Sequence, residues 1–256
     1  MNKNILVIDI GNTNVVCGIY HDLVLVNTWR MASLKIRTSD EYYVLIKNLT
    51  ADFEIDYIAV SSVVPAIGKT IEHMIQKYFK APYLFVDGNT ELGLKYLVQD
   101  PSFIGSDLIV NAYSAWKKYQ TNCIVCDFGT ATTIQLVGVD GCFHGTIIMP
   151  GMLTGADSLF EKAALLSNIQ FESPTVLLGT NTRDALLSGI IKGHAYSIDG
   201  FIKELKTDFN HLENIRIIAT GGISNLIAEH SEHIEIIDKT LTLDGLSLII
   251  NKLLVT

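Results

Sequence analysis

No stretch of this 256-residue chain stays apolar for the roughly 18 residues that a membrane span requires. The opening MNKNILVIDIGNTN has too short an apolar run for a secretory leader and carries a polar turn inside it, so a cytoplasmic protein is expected. Basic residues are in the minority, 19 Lys and Arg against 27 Asp and Glu, for a net charge of −8. With no basic stripe, a protein that wraps nucleic acid is excluded. Binding of one anionic small molecule is not, because backbone amides and a metal can supply the local positive field. Cysteine is scarce: Cys17, Cys123, Cys126 and Cys142 read as free thiols of a reducing compartment. Cys123 and Cys126 form a CxxC, but in a strand their odd spacing sends them to opposite faces, against a shared metal or redox role. His230 and His233 in EHSEHIE have no third ligand nearby and read as a solvated polar turn. There is no linker, no low-complexity segment and no GxGxxG after a strand. The GKT at 68–70 is not a P-loop, since Val63 stands where a glycine is needed and Gly68 falls in a helix after Pro65.

What is present suits a globular protein, with 48% hydrophobic and 18% charged residues in a chain long enough for one large domain or two smaller ones. The patterning predicts strands over 4–10, 14–20, 23–30, 55–63 and 83–88, with helices over 39–50, 66–79 and 104–119. A second group of strands is expected at 122–127, 132–139 and 142–148, with Asp140-Gly141 as the turn of a hairpin. Helices near 151–166 and 180–206, strands at 215–222 and 234–238, and a terminal helix over 242–254 complete an α/β alternation. The apolar 104–116 segment suits either a core helix or a dimer contact.

The informative pattern is an echo. VIDIGNTNVVCGIY at 7–20 matches VCDFGTATTIQLVGV at 125–139, each a strand, Asp-x-Gly, a hydroxyl or amide cluster, and another strand. Asp9 and Asp127 lie 118 positions apart. One such knot could be an ordinary hairpin with an Asx-type turn; two in matching context suggest an internal duplication with a cleft between similar halves. In each knot the glycine permits close backbone approach, amides with Asn or Thr side chains can meet phosphate oxygens, and the aspartate can hold a hydrated Mg²⁺. Two such hairpins facing each other would grip a polyphosphate. A third glycine cluster, Thr220-Gly221-Gly222, ends a buried strand before a helix and suits a phosphate or a flat adenine; a tight strand-to-helix connection would look the same.

These features together resemble the acetate and sugar kinase, heat-shock 70 and actin superfamily, and more closely the type III pantothenate kinase family. The resemblance runs almost end to end through DIGNTN at 9–14, SSVVP at 61–65, P-x-x-x-GSD at 101–107, DFGTATT at 127–133, IIMPG at 147–151, LGTNTRDAL at 178–186 and TGG at 220–222. It implies two actin-like (ribonuclease H-like) domains, 1–115 with the first phosphate loop and 116–256 with the second loop and the adenosine motif. It also implies ATP-dependent phosphorylation of pantothenate to 4'-phosphopantothenate in coenzyme A biosynthesis, in a homodimer whose acceptor pocket is partly closed by the partner. ATP, Mg²⁺ and a monovalent cation, K⁺ or NH₄⁺, are the implied cofactors. By the same resemblance Asp9, Gly11, Asn12, Thr13, Asn14, Val15 and Val16 form the first phosphate loop, with Asp9 toward the metal. Asp127 binds the monovalent cation, Thr130 a nucleotide phosphate, and Thr220, Gly221 and Gly222 the nucleotide. Asp107 is the general base within the acceptor motif Gly105, Ser106, Asp107 and Leu108, and Thr182 touches pantothenate.

Read without the family, Asp107 is equally the first-turn acid of an apolar helix, its charge favoured by the dipole, and Thr182 is a candidate N-cap of a helix over 183–193. Asp184 then reads as a dipole partner. The chain departs from the family pattern on the acceptor side. Leu108 stands where the family has arginine, Val98 where it has tyrosine (Tyr96 is out of register), and Gln135 where it usually has aspartate. Losing such an arginine removes a charge-assisted contact commonly worth about 1.5–3 kcal/mol, which Lys95 or Arg183 would have to replace. An inactive or acceptor-altered nucleotide-binding regulator and a phosphohydrolase of the same superfamily are the competing expectations.

Overall fold

The computed structural model describes residues 3–163 and 169–255. The chain divides into two compact units, one of residues 1–94, 98–118 and 240–256 and one of residues 95–97 and 119–239. The division expected at 115/116 falls instead at 118/119, residues 95–97 join the second unit, and residues 240–256, with the last helix, join the first.

The first unit is built on a five-stranded sheet. Its strands are β1 (Asn4–Ile10), β2 (Asn14–His21), β3 (Val24–Ala32), β4 (Tyr57–Ser62) and β5 (Tyr83–Phe85), in the order β3-β2-β1-β4-β5. β1 runs antiparallel to β2 and parallel to β4. Alternation along β1 places Leu6, Ile8 and Ile10 on one face, in a core with Ile58 and Val60 of β4. That face is covered by α1 (Ser39–Leu49) and α2 (Pro65–Tyr78) through Tyr42, Ile46, Ile67, Ile71, Met74 and Ile75. Helix α1 begins at Ser39 as expected, and its N-cap is Thr38, which forms a reciprocal capping box with Glu41. Val7, Asp9, Ala59 and Ser61 take the opposite face, which meets α3 (Ser106–Tyr119) and α8 (Leu241–Ile250). Leu108 to Ala115 of α3 are all buried, so this apolar helix serves the core of its own unit.

The second unit repeats the plan. Its sheet comprises β6 (Lys95–Tyr96), β7 (Cys123–Phe128), β8 (Ala131–Val137), β9 (Cys142–Pro150), β10 (Arg216–Thr220) and β11 (Ile236–Ile237), in the order β11-β10-β7-β8-β9-β6. Five of these strands reproduce the first sheet in order and direction, and β6 is an additional edge strand parallel to β9. The duplication expected from the echo is therefore a repeat of topology, strand by strand. Ile124, Cys126 and Phe128 of β7 face a core shared with Leu187, Ile191, Ala195, Ile198 and Ile202. These come from α5 (Thr182–Leu187), a π turn (Ser188–Lys192) and α6 (Gly193–Asp208). Cys123 and Cys126 do point to opposite faces, and burial pushes the Cys123 thiol up to about 12 and Cys126 higher still.

The remaining elements are α4 (Met152–Lys162) and α7 (Ser224–Ala228). Residues 164–166 of the helix expected over 151–166 lie outside the described residues. The expected helix over 180–206 is interrupted by the π turn, and the strand over 215–222 stops at Thr220 because Gly221 turns the chain at φ +91°. The terminal helix passes into a second π turn over Asn251–Val255. β6 has too few residues to show a period. His230 and His233 fall in turns, as expected. No helix among the described residues is long and apolar enough to cross a membrane.

Candidate active site

The first loop joins β1 to β2. Gly11 donates its N–H to the Asn14 carbonyl at 2.9 Å, closing a tight turn over Asn12 and Thr13, both exposed. Ser33, just past β3, fixes this turn from behind: its hydroxyl donates to the Gly11 carbonyl at 2.6 Å and its N–H to the Thr13 carbonyl at 2.9 Å. Tying these carbonyls inward keeps their negative ends away from an incoming anion, the requirement for a phosphate loop. Asn14 begins β2, Val15 is buried in the core and Val16 lies opposite Asp9 in the strand register. Ser33 carries no motif signal in the sequence.

Asp9 also lies beside Ser61 in the parallel β1–β4 register, on the face that α3 covers. There the SSVVP and GSD motifs meet. The Ser106 hydroxyl donates to the Ser62 carbonyl at 3.0 Å and accepts the Ser62 N–H at 2.8 Å. Its single proton being committed, the Ser61 hydroxyl, 3.1 Å away, is the donor of that pair. Ser106 therefore latches the start of α3 to the end of β4, and its side chain is directed into β4. This brings the helix turn carrying Asp107 to the strand end carrying Asp9. Gly105 leaves room for the Asp107 carboxyl, since a Cβ there would lie 2.5 Å from Oδ1. Burial raises the Asp107 pKa above the ordinary carboxylate value, and the Leu108 N–H, donating to Oδ1 at 2.8 Å, opposes this only in part. Desolvation thus outweighs the backbone N–H groups that favour its charge at the start of the helix. Leu108 is 4% exposed, an apolar core residue of α3.

The second loop, between β7 and β8, is held in a similar way. The Thr130 carbonyl accepts the Gly151 N–H at 3.1 Å and the Thr154 hydroxyl at 2.7 Å. A Cβ on Gly151 would come within 2.3 Å of the Gly129 carbonyl oxygen, which explains the glycine of IIMPG. Asp127 pairs in register with Thr133 and, across the parallel contact, with Thr220. Asp127 and Thr220 thus occupy in this sheet the places of Asp9 and Ser61 in the first. Gly221 follows, and a Cβ there would lie 2.5 Å from the Phe128 carbonyl oxygen, so the Thr220-Gly221-Gly222 turn sits directly against the second loop. The helix expected behind this turn is only α7, five residues long and starting at Ser224. The turn itself, with Gly222 exposed, is the feature that can receive a ligand.

Thr182 is exposed at the start of α5 and is not its cap. That role belongs to Asn181, whose Oδ1 accepts the Asp184 N–H at 3.0 Å while its Nδ2 donates to Asp184 Oδ2 at 2.7 Å. The two cations considered as replacements for the family arginine have other partners. Arg183 pairs with Glu172 at 2.7 Å, and Lys95 lies 3.8 Å from Asp140. Tyr96 packs its ring on Phe143, and Gln135 is buried in β8.

Among the described residues no three His, Cys, Asp or Glu side chains converge as a metal cage. A hydrated Mg²⁺ takes one or two carboxylates and keeps several waters, and Asp9, a carboxylate beside the first glycine turn, has the chemistry for such a contact.

The sequence profile of the type III pantothenate kinase family matches residues 5–204. A protein of Halalkalibacterium halodurans described as type III pantothenate kinase is 39% identical over 253 residues, covering 97% of this chain and 99% of that protein. A relative of the same description from Exiguobacterium sibiricum is 40% identical over 250 residues, covering 96% and 98%. Among solved structures, an inorganic polyphosphate/ATP-glucomannokinase from Arthrobacter sp. strain KM has the same fold, with a TM-score of 0.52, 13% identity, and 98% and 99% of the two chains covered.

The latch carries a stability prediction. Ser106→Ala removes a hydroxyl that satisfies the Ser61 hydroxyl and the Ser62 N–H in a buried setting, so urea unfolding should show a loss of about 1–3 kcal/mol. An unchanged unfolding midpoint would mean that water replaces the hydroxyl and that the latch does not hold α3.

Proposed function

The chain belongs to the type III pantothenate kinase family, and from that premise we propose that it transfers the γ-phosphoryl group of ATP to the hydroxyl of pantothenate, with Asp107 as the general base. The observation that carries the assignment of the base is the Ser61–Ser62–Ser106 latch, which ties the buried Asp107 turn to the strand end of Asp9. Phosphoryl transfer is chiefly positioning and charge neutralisation. Asp107 accepts the proton of the attacking hydroxyl as that oxygen bonds to the γ-phosphorus, and the bond from phosphorus to the ADP oxygen breaks. A carboxylate with a raised pKa suits this role, since its basicity lies closer to that of the group it deprotonates. The first loop, Asp9 to Val16, holds phosphate through its amides with Asn12, Thr13 and Asn14. Thr130 meets a phosphate from the second loop, and the Thr220-Gly221-Gly222 turn meets the nucleoside. Asp9 would hold a hydrated Mg²⁺, whose charge would offset that of the phosphates. Asp127 is assigned to a monovalent cation, K⁺ or NH₄⁺.

The acceptor lies along Gly105 to Leu108, reached by backbone groups and Asp107, with Thr182 as a further contact. We assign the active form as a homodimer, supported by the exposed Leu177 and Leu178 next to the Thr182 segment. With Leu108 buried and Arg183 and Lys95 engaged elsewhere, acceptor affinity rests on neutral donors, and a high KM for pantothenate is expected.

The test is a coupled assay of ADP release with ATP, Mg²⁺ and K⁺, with and without pantothenate. Release should depend on pantothenate, and Asp107→Asn should lower kcat by about 10²–10⁴. Release without acceptor would instead mark a phosphohydrolase, and nucleotide binding without release a regulator.

Asp107 also predicts a pH effect with a definite sign. Its folded pKa is raised by burial. The stability it lends is therefore present below the ordinary carboxylate pKa of about 3.9 and is lost as pH rises through the raised value. At pH 7 the ionised, desolvated carboxylate is a cost, so Asp107→Asn should melt higher than the parent, with the gap closing toward pH 4. A variant that melts lower at pH 7 would show that the carboxylate is stabilised by its surroundings.

A further inference from the structure

The second loop rests on a buried histidine that the phosphoryl transfer above does not use. His194 lies one residue into α6, directly after the π turn. Its Nε2 is 3.0 Å from the hydroxyl of Thr132, which is fully buried. Its ring meets that of Phe128 edge-on, with centroids 6.1 Å apart and planes at 62°. Phe128 and Thr132 are partners in the β7–β8 register, the last pair before the turn that carries Thr130. His194 thus touches both posts of the loop from the sheet face opposite Asp127. Phe128 is also the residue whose backbone Gly221 packs against. Burial lowers the His194 pKa, which keeps the ring neutral, with one nitrogen a donor and the other an acceptor. A buried imidazole needs a polar partner wherever it stands; this one takes it from Thr132, on a post of the loop. The π turn fits a positional demand as well, since one extra residue in a turn rotates everything beyond it by about 100°.

We propose that His194 is a positioning residue of the nucleotide site, holding Thr132 and through it the 129–130 turn in the shape that receives a nucleotide phosphate. This rests on the reading of the second loop as a phosphate loop. Neither residue touches the reacting atoms, so the effect falls on nucleotide affinity.

The experiment is titration calorimetry of ADP with Mg²⁺ against the full chain and four variants: His194→Leu, Thr132→Val, the double variant, and His194→Gln, which can return a polar atom near the position of Nε2. Each single loss of the bond should weaken ADP binding by up to about tenfold, the worth of one buried hydrogen bond. The double variant should be no weaker than the worse single, because both remove one interaction. His194→Gln should recover most of the affinity, and the KM for pantothenate should stay unchanged in all four. Thr132→Val preserves shape, so a folded protein is available even if His194→Leu is not. The proposal is overturned if Thr132→Val binds ADP like the parent, if the two losses multiply, or if the variants only lower Tm without moving ADP affinity. Parent protein that binds ADP without phosphorylating pantothenate would contradict the kinase reading and leave this test intact. Parent protein that binds no ADP would sink both.

Discussion

The parallel pairing of each central strand with its neighbour, β1 with β4 and β7 with β10, sets where the polar groups of both loops lie. A strand buried on both faces tolerates a carboxylate only at its end, where a turn and a neighbouring strand can supply polar company. In the first unit that company is Ser61, beside Asp9; in the second it is Thr220, beside Asp127. Everything else is hung on these pairs. The first sets the height at which α3 docks through Ser106, and the second sets the turn that Gly221 makes against Phe128.

The two units solve one problem with different chemistry. Each must hold a short glycine turn with its carbonyls bound inward. Ser33 does this from just past β3, and Gly151 with Thr154 from the start of α4. The units diverge where their work differs: the first adds the latched α3 with its buried acid, the second adds the Thr220-Gly221-Gly222 turn. A buried carboxylate is a liability for stability, and the Ser106 latch is the structural support that holds the Asp107 turn in place.

Much of this architecture was legible because it is periodic or duplicated. The strands of both sheets stood out by their apolar runs, and the echo of DIGNTN in DFGTATT anticipated two sheets of one topology. Less legible were elements whose shape is set by tertiary contact. β6 has two residues, too few for any period, whereas β11, equally short, falls inside the strand expected at 234–238. The π turn at 188–192 leaves the helical pattern of apolar residues almost intact, so 180–206 reads as one helix. Of the polar groups, Asp9, Asp107, Asp127 and the glycines carried motif signals. Ser33, Thr154 and His194 did not, because a single residue that braces a loop from behind has no spacing to betray it. Arg183 looked available in sequence and is held by Glu172, a contact across 11 positions that no local pattern encodes. The burial of Leu108 was implicit in the apolar face of its helix, but the burial of Asp107 beside it was not.

The central claim is that this chain makes a new phosphate ester on pantothenate at the expense of ATP. Phosphorus NMR of a reaction with ATP, Mg²⁺, K⁺ and pantothenate tests it directly, because it sees the fate of the transferred phosphorus. The account predicts a new phosphomonoester resonance that grows in step with ADP and is absent without pantothenate. Inorganic phosphate appearing in its place, or an unchanged ATP spectrum, would contradict it.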